Sequence, residues 1–237
     1  MPACTNCGAP LEQAHRFCGQ CGRPVAEAQP SPTPAPAPPF ERPASLGSQA
    51  LPSLVSPSRV LVMVVLSYGL YLFYWMYLTW RHYRDHTGRP VFPVWHALSL
   101  IVPVYGLFRT YAHMRSFKEL MLQGNVPSTI SPGWAVAVIL LYSMLEWASF
   151  AASGGIPAVT GAVEITREMA IKAMLIDLVG LALVAGLLMQ VQGNLNRYWA
   201  SLGVGRAVVP GISLGEVLFA LAGSLFWITA LTSIMGQ

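Results

Sequence analysis

Five apolar segments, each close to twenty residues long, constrain this chain more than any other feature. An α-helix rises 1.5 Å per residue, so about 20 residues cross the roughly 30 Å hydrocarbon core of a bilayer. The segments fall at about 59–80, 92–114, 132–153, 169–191 and 214–235. Composition agrees: 54% of the 237 residues are hydrophobic and 10% are charged, against about 25% charged in an ordinary soluble domain. The expected fold for residues 58–237 is therefore an all-α multi-pass membrane helical bundle of about five transmembrane helices, with the lipid bilayer as its principal partner.

The segments differ in character. The first ends in a dense aromatic half, from Tyr68 to Trp80, as expected where rings sit at headgroup depth. The second holds Pro93, His96, Pro103, Gly106 and Arg109, which suit a kinked or tilted crossing or a re-entrant one. The other three each carry one acid: Glu146, Asp177 and Glu216. Small-residue pairs, Ala182 with Gly186 and Ala220 with Ser224, are candidates for close helix packing and for a homo-oligomer contact. The first and fourth segments lead into "TWRHYRDHTG" and "NLNRYWASLG", read as interfacial helical extensions that stop at Gly.

A different chemistry occupies residues 1–25. Cys4-Thr-Asn-Cys7 and Cys18-Gly-Gln-Cys21 form two Cys-x-x-Cys hooks ten residues apart. That spacing lets four thiolates converge on one tetrahedral Zn2+ ion, with Gly8 and Gly22 freeing the backbone after each hook. Disulfides fit poorly without a secretion signal, and a redox pair needs a larger α/β domain around it. A rubredoxin-type iron site shares the four-thiolate pattern. The segment "CTNCGAPLEQAHRFCGQCGRPV" resembles small zinc-ribbon modules of bacterial membrane and regulatory proteins, which implies a zinc-ribbon β-hairpin module. Four protein ligands leave no open coordination position, so the metal is structural, and a module with only Leu11, Phe17 and Val25 to pack depends on it.

Residues 26–57 alternate Pro and Ala over much of their length and read as a disordered, largely polyproline II tether. The chain opens without a basic stretch followed by an apolar one, so no cleavable signal is expected and the ribbon should be cytoplasmic. Lys and Arg counts favour that orientation only narrowly if all five segments cross, whereas reduced metal-binding thiols favour it strongly. The C-terminus is then outside the cell membrane.

Chemistry within the membrane centres on Glu146 and Asp177, with Arg109, His96, His113 and Lys172 as candidate partners. A proton or ion relay and a purely structural helix-to-helix hydrogen bond are both compatible with them. Glu216 opens the last segment, where a carboxylate complements a helix N-terminus. His82 and His86 stand one turn apart beside Asp85, a spacing open to metal but better explained by an interfacial helix. No catalytic motif occurs, so no enzyme is expected. Residues 1–25 contribute Arg16 and Arg23 against Glu12, so no nucleic acid is expected either.

The aromatic run Tyr71 to Tyr77, then Trp95-His96-Ala97-Leu98, then Pro103, Tyr105, Gly106 and Phe108 resemble the uncharacterised bacterial family known as domain of unknown function 4234. The resemblance implies a multi-pass membrane protein, often joined to a zinc ribbon, without an established activity. Two functions follow as expectations. One is a membrane-anchored interaction or regulatory protein whose ribbon engages a cytoplasmic protein partner. The alternative is a small transporter or channel subunit using Glu146 and Asp177.

Overall fold

The computed structural model describes residues 4, 6–10, 20–21, 54–203 and 211–235, which belong to two units, residues 1–48 and 49–237. Most of the linker, residues 11–17 between the two Cys hooks and Cys18 lie outside the described residues. The described residues of the second unit are helical, with no strand among them.

Helix α1, Pro57–Leu66, begins where the Ser56 hydroxyl accepts the Arg59 N–H at 3.2 Å and Pro57 presets the first turn. It stops because Tyr68 (φ 52°) and Gly69 (φ 85°) both take the left-handed conformation. The buried Ser67 hydroxyl then accepts the Tyr71 N–H at 2.8 Å and starts α2, Tyr71–Thr87. Helix α2 ends at Gly88, whose φ of 67° and N–H bond to the Arg84 carbonyl close the last turn.

The expected single helix over 59–80 is thus two helices, and they run in opposite directions. Going down α1, Arg59 meets Glu216 and Ser67 meets Gly223, so α1 descends alongside α8, Leu214–Met235. Tyr68 then packs on Phe226 and Trp227. Beyond the turn the order reverses, because Tyr74 packs on Phe219 and its hydroxyl lies 2.8 Å from the Ser213 hydroxyl. The outer ends of the pair return to one place: Asn196 donates to the Val55 carbonyl, and His86 sits 2.8 Å from the Tyr198 hydroxyl.

Segment two repeats the shape. Helix α3 (Pro93–Leu98) and a 3-10 turn (Ser99–Ile101) lead inward, and α4 (Pro103–Gln123) leads back out. His96 on α3 and His113 on α4 both pack on Trp80, and Phe117 packs on Tyr83, so both outer portions lie along α2. The junction at Leu100, Pro103 and Gly106 lies with Gly69 and Leu70 around a void of about 90 Å3 closed by Ile139 and Tyr142 of α5, Pro132–Ala152.

Among the described residues three helices are long and apolar enough to cross a membrane: α5 (Pro132–Ala152), α7 (Arg167–Ser201) and α8. The short helix α6, Gly155–Val159, joins α5 to α7. The crossings expected over 59–80 and 92–114 are replaced by the two hairpins, because backbone at Ser67–Leu70 and at Val102 leaves the helical region inside each apolar run. At about 52 Å, the 35-residue α7 is longer than the roughly 30 Å core of a bilayer. Its polar residues clamp the other segments: Gln192 accepts from the Trp75 indole at 2.8 Å, and Asn194 accepts from the Thr129 N–H at 2.9 Å. The extension ends with Gly203 at φ 79°. Ala182 and Gly186 face away from the bundle, and the tight contacts lie elsewhere, at Gly223 on Ser67 and Gly180 on Tyr142.

Candidate metal centre and intramembrane acid site

In the N-terminal unit, the thiols of Cys4, Cys7 and Cys21 lie within 4.8 Å of one another. Cys4 and Cys21 sulfurs are 3.7 Å apart. A tetrahedron with Zn–S bonds near 2.3 Å has an edge of about 3.8 Å, whereas a disulfide would draw the sulfurs to about 2.05 Å. The knuckle is built by local backbone: Gly8 takes φ 72° and donates to the Cys4 carbonyl at 2.9 Å, and the Cys4 N–H reaches the Ala9 carbonyl at 2.8 Å. Backbone N–H groups of Asn6 and Cys7 hold the Cys4 thiol below its ordinary range, which favours the thiolate that binds metal. The donor set fits a structural zinc ion. Cys18, the expected fourth ligand, lies outside the described residues.

In the membrane unit, Glu146 and Asp177 come to one cavity of about 310 Å3, which also holds Tyr68, Ser149, Thr229 and Ser233. The Tyr68 hydroxyl donates to Asp177 Oδ2. The Tyr142 hydroxyl is within hydrogen-bonding reach of Glu146, and Glu146 Oε1 lies against Gly180, three residues beyond Asp177 on α7. The left-handed turn after α1 is what aims Tyr68 at Asp177. None of the expected partners is here. Lys172 pairs with Glu168 at 2.6 Å, and Arg109 and His96 bond each other at 2.7 Å. Among the described residues neither carboxylate has a cationic partner.

Arg109, His96 and His113 instead gather around Trp80 on the outer side of the second hairpin. His113 is fully buried; its Nε2 lies 3.3 Å from the Thr79 hydroxyl, which donates to the Trp75 carbonyl. His86 is occupied by Tyr198 and Trp199, so His82 and His86 do not form a metal pair.

Glu216 caps α8 as expected and does more. It accepts from the Ser213 N–H and hydroxyl at 2.8 and 2.9 Å while the Ser213 hydroxyl accepts the Glu216 N–H, a reciprocal capping box. Its carboxylate also receives Arg59 through two nitrogens at 2.9 and 2.6 Å. Tyr68, Tyr142 and Arg59 are the contributors that sequence reasoning missed.

Comparison with known proteins adds one match: no curated protein and no solved structure matches the chain, but residues 4–25 match the family model of a zinc-ribbon domain, so this is a helical chain with three candidate membrane-spanning helices that carries a zinc ribbon at its N-terminus.

Proposed function

We propose that the membrane unit is a proton- or cation-handling bundle whose working site is the cavity shared by Glu146, Asp177 and Tyr68. One observation carries this reading: two carboxylates on neighbouring helices face one cavity, held only by tyrosine hydroxyls and without a cationic partner among the described residues. Two such groups in a low-dielectric bundle need neutralising, and protons or a small cation entering the cavity would do so. The cavity runs from Tyr68 toward Ser153 and Ser233, that is, toward the end of the bundle opposite Arg59. Its inner wall is the tip of the α1–α2 hairpin, a re-entrant element of the kind that membranes tolerate where it lines a cavity. Purified protein in liposomes should pass protons or monovalent cations down a gradient, and Glu146→Gln with Asp177→Asn should abolish the flux. Flux from the intact protein no greater than from empty liposomes sinks the proposal.

The basic residues support an orientation. Arg81, Arg84, Arg89, Arg115, Lys118 and Arg197 lie at or just beyond the outer ends of α2, α4 and α7, against Arg167 and Lys172 at the other end. By the positive-inside rule the first end is cytoplasmic. The chain enters the bundle at that end, which puts the preceding ribbon in the cytoplasm and Met235 outside. With its coordination shell closed, the ribbon is suited to binding a cytoplasmic protein, and the membrane-anchored interaction reading rests on it. Capture of one defined protein by the full chain, lost with Cys4→Ser/Cys7→Ser, is the expected result; capture unaffected by the substitutions overturns it.

A further inference from the structure

The second hairpin carries a cation whose counter-charge none of the described residues supplies. Arg109 donates one N–H to His96 Nε2 at 2.7 Å and lies 5.5 Å over the Tyr105 ring, and among the described residues no carboxylate stands within 4.0 Å of it. Because a guanidinium can only donate, His96 Nε2 is an acceptor and the ring is neutral, with its proton on Nδ1. The pair therefore keeps a net positive charge. Arg59, Arg84, Arg115 and Lys172 each face an acid, while Arg89 and Arg197, at the basic end, bond the neutral oxygens of Tyr83 and Asn194.

The surroundings identify the missing partner. On either side of Arg109, the hairpin turns large apolar side chains outward: Trp95 is 70% exposed, Phe108 69%, Ile101 65% and Tyr105 48%. Such a face belongs in acyl chains, with Trp95, at the outer start of α3, nearest the headgroups. Helix α4 runs outward from Pro103, so Arg109 sits roughly 9 Å from the hairpin tip, below the basic end at Arg115 and Lys118. An arginine there reaches outward to the headgroups, where its planar fork matches two phosphate oxygens. A zwitterionic lipid brings its own cation, whereas an anionic one leaves its phosphate charge for the protein to balance.

We propose that the α3–α4 hairpin binds the phosphate of an anionic phospholipid from the leaflet at the basic end, with Arg109 as the ligand and His96 positioning it.

The test uses full-length protein in mild detergent, offered equimolar phosphatidylglycerol and phosphatidylcholine with identical acyl chains, and read by native mass spectrometry. The expected result is about tenfold preferential retention of phosphatidylglycerol, lost in Arg109→Gln and kept in Arg115→Gln. Equal retention of the two lipids by the intact protein overturns the proposal, as does a preference that survives Arg109→Gln. Retention of inorganic phosphate at comparable occupancy would show a soluble-anion site in place of a lipid site. Should Arg109→Gln fail to fold, the unaltered protein carries the test through phosphatidylglycerol with a photoreactive group beside its phosphate. Cross-links mapping to residues 92–111 support the site, and cross-links confined to the outer end of α4 at residues 115–123 refute it.

Discussion

Adding a single methyl group at Gly223 should unfold the junction between α8 and the first hairpin. A Cβ built there would fall inside the van der Waals envelope of the Cα, carbonyl carbon and oxygen of Ser67. The obstacle is backbone, so no rotamer change relieves it, and restoring carbon contacts near 3.5 Å moves the helices apart by roughly an ångström or more. That separation would also strain the bond from the Trp227 indole to the Val65 carbonyl, 2.7 Å, which adds a second donor to an oxygen that the Tyr68 N–H reaches at 3.1 Å. Overpacking in a filled core costs about 1–3 kcal/mol, and a backbone clash belongs at or above the top of that range. At about 2–4 °C per kcal/mol for a chain of this size, Gly223→Ala should melt roughly 6–12 °C lower. Gly186 provides the contrast, since it lies on α7 with nothing within 4 Å of a new Cβ. Gly186→Ala should therefore gain about 0.5–1 kcal/mol from helix propensity alone. Melting in detergent, followed by tryptophan fluorescence, reads both. Equal melting of the two variants would mean that α8 does not lie against the Ser67 turn.

Three further outcomes are expected. Removing one partner of the Arg59–Glu216 pair, whose side chains are 16% and 5% exposed, should destabilise by about 3 kcal/mol in thermal melts, whereas Arg59→Met with Glu216→Met should recover much of it; additive losses would refute the pairing. Cys4→Ser with Cys7→Ser should take bound zinc from one equivalent to none by metal analysis while the bundle melts unchanged. Burial holds the His86 imidazole below its ordinary value at the contact with Tyr198. The undocked ring therefore protonates first as pH falls below about 6.5, and stability should decline with acidification through that window. His86→Gln should flatten the pH profile of the melting temperature, and an unchanged slope would contradict the assignment.

The crossing helices were legible because their apolar runs are uniform over the length a bilayer demands, as in 132–153 against Pro132–Ala152. Segment 59–80 looked equally uniform, yet hydropathy sums residues and carries no direction, so a reversal inside an apolar run leaves the sum unchanged. The cues for it were Ser67 and Gly69; Tyr68, a residue that seldom adopts positive φ, offered none. The zinc site was readable because thiol spacing maps directly onto metal geometry. The acids' partners were not, since searching for opposite charge led to Arg109, His96, His113 and Lys172, whereas the fold supplies the neutral hydroxyls of Tyr68 and Tyr142. Small-residue spacing did not point to the close approaches within the chain: Ala182 and Gly186 share an exposed face of α7, whereas the tight contacts include Gly223 and Gly180.

The central claim is that the first apolar segment enters and leaves the bilayer on one side, bringing Tyr68 to Asp177 on the way. Single cysteines at Gln49, Arg89, Asn125 and Val163, each compared with the parent protein, can be labelled with a membrane-impermeant maleimide on intact and on permeabilised cells. The hairpins predict that positions 49, 89 and 125 react together and position 163 behaves oppositely. If position 89 reacts against position 49, the first segment crosses, and the path that carries Tyr68 into the acid cavity is wrong.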